Sequence, residues 1–431
     1  MLRRRHRKER EAGQARWGVL RRWALRVVVG AAVMAGASAG AYWAVRLGYG
    51  DLLARQTRVE AVARGIELAP GNAEHRVRLA ALQDQVEEDA GAAVGALKAA
   101  VELNPRYTTG WIELGLRAEA EGDYARAEKC LAEAARVDRM FEPRWALANY
   151  YFRRGEASQF WRWARRAAEM AYGDPGPLLR LAWKASPDAG TILERVIPER
   201  GEMLSQYLSF LLSQQQVEGA RGAAERLLER GDARHVGVLL GYCDRLLEGG
   251  RVAPAVAVWN ALAGRRWIGH EALAPERGVS LTNAGFAVAP LQQGFDWRIP
   301  GTWGVTVNRE SGPGAVRVAF SGEQPESCEC LWQLVPVVAG KKYRLSFVYR
   351  TVEIEGRSGV GWQVAEAGSG ARVEAKSEEL KAEEWTPGEV RFEAPSGTEL
   401  VRLVLGYRRV PGTTRIEGAV VVRELKLGLE R

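Results

Sequence analysis

Tryptophan residues in the last third of the chain have side chains suited to binding sugars. An indole ring stacks on the apolar face of a pyranose, while planar polar side chains beside it hydrogen-bond the sugar hydroxyls. Trp303 lies in a Pro-Gly-Thr-Trp-Gly loop and Trp362 follows Gly359-Val-Gly361, so both rings are predicted to be exposed platforms. The candidate carbohydrate-binding residues are Trp303, Trp362, Trp332, Gln333, Tyr349 and Arg350. Burial in a core is the alternative for each tryptophan, and it is the prediction for Trp297 and Trp385.

The sequence lacks the common catalytic motifs. It has no GxxxxGK[ST] phosphate loop, no HExxH, no GxSxG and no GxGxxG between a strand and a helix. Residues 271–431 contain no histidine, so histidine-dependent triads and histidine-ligated metals are excluded there. Adjacent carboxylates such as Glu383 and Glu384 point to opposite faces of a strand and cannot flank one glycosidic bond. We therefore expect no catalytic residue and a protein that is not an enzyme.

The four cysteines are too few and too unevenly spaced to predict a disulfide framework. Cys328 and Cys330 flank one glutamate, yet no further sulfur or imidazole lies near them in the sequence, which makes a zinc site unfavourable. We expect the pair to pack in a core or at a sheet edge. Neither a metal site nor a cofactor is predicted from these residues.

A second group of functional residue types lies near the middle of the chain. Arg154, Arg162 and Arg165 form part of a basic set suited to an acidic partner, and Trp161 belongs to an aromatic strip beside them. These four are the candidate partner-binding residues. The alternatives are a solvated helix face for the arginines and an inter-helix core for the aromatic rings.

The net charge of +8 is located in the first 26 residues. This segment carries ten basic residues and two acidic ones, which leaves the rest of the chain neutral. Residues 27–45 follow without a charge, and nineteen helical residues span roughly 28 Å, about the thickness of the hydrocarbon core of a bilayer. Trp23, Tyr42 and Trp43 lie near the two ends of this segment, where aromatic side chains favour the headgroup layer. The pattern favours a membrane anchor and argues against nucleic acid as a partner.

Topology follows from the basic residues that precede the span. The positive-inside rule keeps the N-terminus in the cytoplasm, so we expect a single-pass inner-membrane protein whose bulk is periplasmic. A cleaved signal peptide is the alternative, because Ala37-Ser-Ala39 resembles a cleavage site, although the apolar segment continues past it. Gly36 and Gly40 form a GxxxG, which allows a homodimer through the span; an alanine- and glycine-rich single helix is the simpler interpretation.

Residues from about 51 to 265 are predicted to form consecutive amphipathic helices, and part of this region follows a repeat of thirty-four residues. Trp111-Ile-Glu-Leu-Gly115 opens one unit and Trp145 opens the next, while small residues recur at the same period. The recurring positions are Ala93, Leu97 and Ala100, followed by Ala127, Leu131 and Ala134. Over about 71–172 this pattern resembles the tetratricopeptide repeat family, with Val77 and Asn149 as departures from it. The resemblance implies an α-solenoid that binds a protein partner.

After Trp267 the hydrophobic period changes to two. Alternating segments around Phe320, Phe347, Phe392 and Leu403 predict strands of an antiparallel β-sandwich. The turn signals between them are 311–314, 339–340, 368–370, 395–397 and 411–412. Motifs that include Leu281-Thr-Asn-Ala-Gly-Phe286, Gly294-Phe-Asp-Trp-Arg298, Trp332-Gln333 and the Phe392-Glu-Ala-Pro395 strand end resemble the galactose-binding-like jelly rolls of carbohydrate-binding modules. The resemblance implies polysaccharide as a partner and leaves a structural calcium ion open.

The sequence thus predicts a multidomain chain. Its parts are a basic cytoplasmic tail (1–26), a transmembrane helix (27–45), a tetratricopeptide-like α-solenoid (46–268) and a carbohydrate-binding-like β-sandwich or jelly roll (269–431). The favoured hypothesis is a membrane-anchored, non-enzymatic adaptor of the bacterial cell envelope that takes part in surface polysaccharide assembly or export. The alternatives are a protein-only envelope scaffold and an accessory subunit of a carbohydrate-active enzyme. Absence of exposed aromatic rings on the sandwich would favour the protein-only alternative.

Overall fold

The computed structural model describes residues 2–86, 88–310, 314–367, 373–394 and 396–430, with the side chains of residues 2–22, 366, 373 and 374 left out. The basic side chains of the tail up to Arg22 lie outside the described part, as do the predicted turn at 368–370, residues 311–313 of the turn at 311–314, and residue 395 of the turn at 395–397. The chain forms two compact units, the first ending at Met170 and the second beginning at Ala171. The solenoid boundary at 268 remains a prediction of the sequence.

The described part of the first unit is helical throughout, with short connections. Its helices are α1 (Leu2–Ala54), α2 (Val59–Leu68), α3 (Ala73–Gln85), α4 (Ala90–Leu103), α5 (Thr108–Ala120), α6 (Tyr124–Val137), α7 (Phe141–Arg153) and α8 (Ala157–Glu169). Each odd-numbered helix packs against the even-numbered helix that follows it. This arrangement confirms a region of solenoid-like helical repeats.

Helix α1 is unbroken from the basic tail to the first repeat. From Trp23 to Ala54 it is long and apolar enough to be a candidate membrane span, and its described side chains up to Val45 are exposed. The end of α1 packs on α2 so closely that a β-carbon at Gly65 would lie 2.8 Å from the carbonyl oxygen of Gly50. Asp51 of α1 also lies 2.8 Å from the imidazole of His75 in α3. The apolar helix therefore continues into the repeat region without a linker.

Small residues and ion pairs repeat along the helices with the spacing of the sequence pattern. A β-carbon at Gly115 of α5 would lie 2.7 Å from Leu131 of α6, so this crossing requires glycine. Arg117 of α5 binds Asp84 of α3 at 2.7 Å, and Arg153 of α7 binds Glu119 of α5 at 2.6 Å. These pairs join helices one repeat apart, which confirms the period predicted from the sequence.

The second unit begins with helices and ends with strands. Its helices are α9 (Gly176–Ala185), α10 (Ala189–Arg195), α11 (Gly201–Ser213), α12 (Arg221–Arg230), α13 (Val236–Glu248) and α14 (Val252–Gly264). The strands are β1 (Val305–Arg309), β2 (Ala315–Ser321), β3 (Ser327–Pro336), β4 (Lys342–Val352), β5 (Val360–Glu366), β6 (Val373–Lys376), β7 (Thr386–Glu393), β8 (Leu400–Arg408) and β9 (Glu417–Leu429).

The strands form two antiparallel sheets, with the orders β1-β2-β9-β4-β7 and β3-β8-β5-β6. Alternate residues of each strand enter one shared core, as the period of two predicts; along β4 these are Tyr343, Leu345, Phe347 and Tyr349. Trp297 is fully buried in this core, which confirms its predicted role. The two sheets therefore enclose a sandwich core.

Helices α13 and α14 are joined to the segment that leads into the sandwich. Trp259 of α14 donates its indole N–H to the carbonyl of Glu271 at 3.2 Å, and Asn260 exchanges two hydrogen bonds with the backbone of Leu273. His270 lies 2.9 Å from Asp296, and both side chains are buried. These contacts fix residues 268–298 against the last helical pair.

Candidate functional site

A cavity of about 810 Å³ lies between strands β3 and β8 of the four-stranded sheet and the turn that joins α13 to α14. Asp244 and Glu248 contribute to the helical wall, while Trp332 and Arg402 contribute to the sheet wall. Arg298, from the segment before β1, also reaches this cavity. We call it the β3 cavity. Its lining combines one indole ring with several planar charged groups, which are the side-chain types that bind sugars.

Two guanidinium groups lie over the indole ring of Trp332. Arg402 lies 3.9 Å from the centre of the indole ring, and Arg298 lies 4.7 Å from it. The two arginines come from opposite sides of β3, because Arg298 forms an isolated bridge with Trp332 and Arg402 lies on the neighbouring strand β8. Cation–π contacts of this kind fix the ring. Trp332 is therefore a half-buried, ordered part of the wall rather than an open platform.

Carboxylates hold both arginines in place. Arg298 binds Asp244 at 2.6 Å and Arg402 binds Glu329 at 2.6 Å. Burial raises the pKa of the Asp244 carboxyl, while Arg298 and the backbone N–H of Gly294 oppose this shift. The Nε of Arg402 is buried and has no hydrogen-bond partner within the described residues. The two ion pairs thus preorganise the cavity wall.

Trp303 lies near the start of β3, and its side chain is 75 % exposed. Its loop is fixed at both ends: Thr302 donates to the carbonyl of Glu329 at 3.5 Å, and Ser321 donates to the carbonyl of Gly304 at 3.0 Å. A β-carbon at Gly304 would lie 2.5 Å from the backbone nitrogen of Gln324, and its φ is 73°. Glycine is required at this point. The loop thereby presents the Trp303 ring to solvent.

The exposed ring and the β3 cavity are connected along one strand. Glu329 of β3 accepts from Thr302 through its carbonyl and binds Arg402 through its carboxylate, and Arg402 covers the ring of Trp332. The loop of the open indole is thus tied to the strand that carries Glu329 and Trp332, both in contact with Arg402. Recognition of a sugar chain requires a ring for stacking and polar side chains for hydrogen bonding, and this strand and its neighbouring loop carry both.

The other predicted carbohydrate-binding residues lie elsewhere. Trp362 is fully buried in the sandwich core beside Trp297 and Phe347, so the expectation of an exposed ring is wrong. Its strand places it on the inner face, where the ring has space among large apolar neighbours. Gln333 is also buried and donates to Thr282 at 3.0 Å. These side chains stabilise the sandwich and do not reach the β3 cavity.

Tyr349 and Arg350 point to opposite faces of β4. Tyr349 lies in the core, whereas Arg350 lies on the outer face of the five-stranded sheet, 4.8 Å from the ring of Trp385. Trp385 was expected in the core, but it is half-buried on that outer face because it follows the last turn before β7. The predicted set is therefore divided between two sheets.

The candidate partner-binding residues all lie in the first unit. Trp161 is 8 % exposed and packs against Phe160 at a ring distance of 4.7 Å, so it belongs to the inter-helix core. Arg154 covers the ring of Tyr124 at 3.8 Å, and Arg165 lies 3.5 Å from Glu169. Arg162 is exposed on α8. Of this set, Trp161 lacks an exposed ring for a partner, and partner binding by the arginines remains a prediction.

No sequence pattern identifies the polar residues of the β3 cavity. Asp244 and Arg298 are 54 residues apart, and Glu329 and Arg402 are 73 residues apart. No motif spans such separations, and each residue alone is an ordinary surface charge. Only the fold brings them together.

Comparisons with known proteins locate similar structures for parts of the chain. No protein-family model matches the sequence, and no curated protein matches it. A solved structure described as "CBM4 structure and function" has 13% identity, covers 34% of this chain and 98% of its own, and has a TM-score of 0.27. YrrB, described as "a TPR protein with an unusual peptide-binding site", has 16% identity, covers 48% of this chain and 94% of its own, and has a TM-score of 0.23. MamA has 20% identity, covers 26% of this chain and 66% of its own, and has a TM-score of 0.24. At these TM-scores the likenesses carry no conclusion about what this chain binds.

Proposed function

We propose that this protein is a membrane-anchored, non-enzymatic adaptor of the bacterial cell envelope. In this proposal α1 holds it in the inner membrane with its bulk in the periplasm, the helical repeats bind a protein partner, and a jelly-roll sandwich binds polysaccharide during surface polysaccharide assembly or export. The observation that carries the glycan part is the exposed ring of Trp303, whose loop is hydrogen-bonded to β3 at Glu329, the partner of Arg402.

The exposed apolar surface of α1 supports the membrane part. Val33, Met34 and Trp43 are each at least half exposed, and no other described segment covers residues 23–45. A continuous apolar surface of this length needs an apolar environment. The exposed Trp303 ring disfavours the protein-only scaffold, because that alternative needs no exposed indole on the sandwich.

Affinity electrophoresis of the detergent-solubilised full chain tests the glycan part. Native gels that contain hydroxyethylcellulose, galactomannan or xylan as separate probes are compared with gels that contain no polysaccharide. We expect at least one polymer to retard the protein. We further expect the Trp303→Ala substitution to weaken the apparent affinity about tenfold, because it removes the stacking surface.

Tyr172→Ala is the matched control, because Tyr172 is 76 % exposed and lies outside the sheets of the same unit. It should leave retardation unchanged, and both variants should keep the circular dichroism spectrum of the parent. Failure of every polysaccharide to retard the chain would overturn the glycan part. New reducing ends in polymer incubated with the protein would overturn the non-enzymatic part.

A further inference from the structure

The outer face of the five-stranded sheet carries arginines on three neighbouring strands. Core residues alternate with outward-facing ones, so Arg317 of β2, Arg423 of β9 and Arg350 of β4 all point away from the core. Arg317 and Arg350 are both paired with Val421, and Arg423 lies two positions further along β9. Two interstrand spacings separate the outer pair, so the three Cα atoms lie within about 10 Å. We call these three residues the arginine face.

The arginine face is only partly neutralised. Arg423 has its Nε 3.4 Å from the carboxylate of Glu424. Within the described part of the chain neither Arg317 nor Arg350 has an acidic partner. The Nε atoms of Arg350 and Arg423 are buried and make no hydrogen bond to any described residue. Among the described residues, Arg317 and Arg350 thus keep their positive charge unpaired on this face, while Glu424 offsets part of the charge of Arg423.

Trp385 orders two of the three arginines. Arg423 lies 3.9 Å from the centre of its ring and Arg350 lies 4.8 Å from it. A guanidinium that stacks on a ring keeps the N–H donors at its edge free for an oxyanion. The ring therefore fixes these two cations in position by contact with their faces rather than their edges.

Further basic residues extend this face along β4, β9 and β7. Lys426 follows Arg423 on β9, and Arg344 of β4 is directly opposite Arg391 of β7. A cavity of about 800 Å³ borders these three residues, and Glu378, Glu389 and Glu424 also line it. Arg391 is paired with Glu389 at 3.0 Å and with Glu430 at 3.2 Å, so this extension of the face is partly neutralised. Because residues after 26 contain equal numbers of acidic and basic residues, this concentration does not follow from composition.

We propose that the arginine face binds the carboxylate groups of an acidic polysaccharide. A guanidinium matches a carboxylate through two parallel N–H···O bonds, and a polymer with repeated carboxylates can engage several arginines at once. Such a ligand offsets the repulsion between the neighbouring cations. The inference rests on the proposed function, since it takes glycan as the ligand of the sandwich, and it adds the chemical class of that glycan.

Affinity electrophoresis of the solubilised full chain tests this inference with polygalacturonate and with its fully methyl-esterified form as a neutral match. We expect polygalacturonate to retard the protein and the ester to bind about tenfold more weakly or not at all, because esterification removes the charge. Salt at about 0.5 M should reduce the retardation by polygalacturonate, since exposed charges are then strongly screened.

The Arg317→Gln and Arg350→Gln double variant should weaken retardation by polygalacturonate about tenfold, because charge-assisted hydrogen bonds are lost. Its control is the Arg277→Gln and Arg408→Gln double variant, which loses the same charge from two exposed positions off this face. Equal losses in the two double variants would overturn the inference, as would equal retardation by polyglutamate, which carries carboxylates on a polypeptide.

The same gels separate this inference from the proposed function. If a neutral polysaccharide retards the chain through Trp303 and polygalacturonate does not, the arginine face is not a glycan site and the proposed function stands. If no polysaccharide of either class retards the chain, both proposals fail.

Discussion

Cys330 is the unpaired residue of a β-bulge in the edge strand β3, and Cys328 lies two residues before it, where the two thiols share a hydrogen bond. The Cys330 thiol donates to the sulfur of Cys328 and lowers the pKa of Cys328, whereas that bond and burial raise the pKa of Cys330. Cys328 is half-buried, and the other three cysteines are buried. The sequence-based prediction of a packing pair at a sheet edge agrees with this position.

We predict that iodoacetamide modifies Cys328 before the other cysteines of the folded chain. The thiolate is the reactive form, so the labelling rate should rise with pH and reach half its maximum below the ordinary cysteine pKa of about 8.5. In the Cys330→Ala variant the donor is lost, and the midpoint should move to higher pH. Timed labelling followed by peptide mass spectrometry measures both effects. First modification of Cys330, or a midpoint that does not move in the variant, would contradict this assignment.

Residue types alone could not separate exposed from buried tryptophans. Trp303 and Trp362 both follow glycine-containing turns, yet one ring is exposed and the other is fully buried. The difference depends on which face of a strand a residue occupies, and a shift of one residue reverses it. Trp303 precedes its strand and escapes this constraint, whereas Trp362 lies within β5 and enters the core.

At the scale of elements, replacing two helical glycines with alanine should change the free energy of unfolding in opposite directions. A β-carbon at Gly115 would lie 2.7 Å from Leu131, whereas one at Gly95 of α4 would meet no atom within 4 Å. We expect Gly115→Ala to lower the free energy of unfolding by about 1–3 kcal/mol through overpacking. Gly95→Ala should raise it by about 0.5–1 kcal/mol, because alanine loses less backbone entropy on forming a helix.

Urea denaturation of the full chain, followed by helical circular dichroism, measures the two midpoints. Gly95→Ala is the matched control, since both changes add one methyl group to a helix interior. A stabilised Gly115→Ala variant would show that α5 and α6 separate easily and that their crossing is not close.

The helices of the repeats were predictable because their signal is local. Small residues that recur every thirty-four positions mark the crossings, and Ala93, Ala127 and Leu131 are fully buried where the pattern requires. The ion pairs between repeats, such as Glu119 with Arg153, were not predictable, because many charged residues on a helix surface share that spacing.

At the scale of the whole molecule, the predicted change from helices to strands is confirmed. The sequence did not indicate which helices group with the sheets. Helices α9–α14 belong to the same compact unit as the sheets. Contacts such as Trp259 with Phe295 and Asp244 with Arg298 join α13 and α14 to the segment before β1. Each contact depends on a single pair of distant residues, and hydrophobic periodicity contains no information about such pairs.

The remaining prediction concerns the membrane anchoring and topology of the whole chain. A reporter enzyme that is active only in the periplasm, fused after Arg431, should be active in cells, and an N-terminal epitope tag should stay on the membrane-bound product. Lysine at both Val33 and Ala37 should abolish export, because each charge at the centre of a span costs about 2.5–3.5 kcal/mol of insertion free energy. Leucine at the same two positions is the control and should preserve export. An active reporter on a product that has lost its tag would favour the cleaved signal peptide at Ala37-Ser-Ala39, and an inactive reporter on the unmodified chain would contradict the topology.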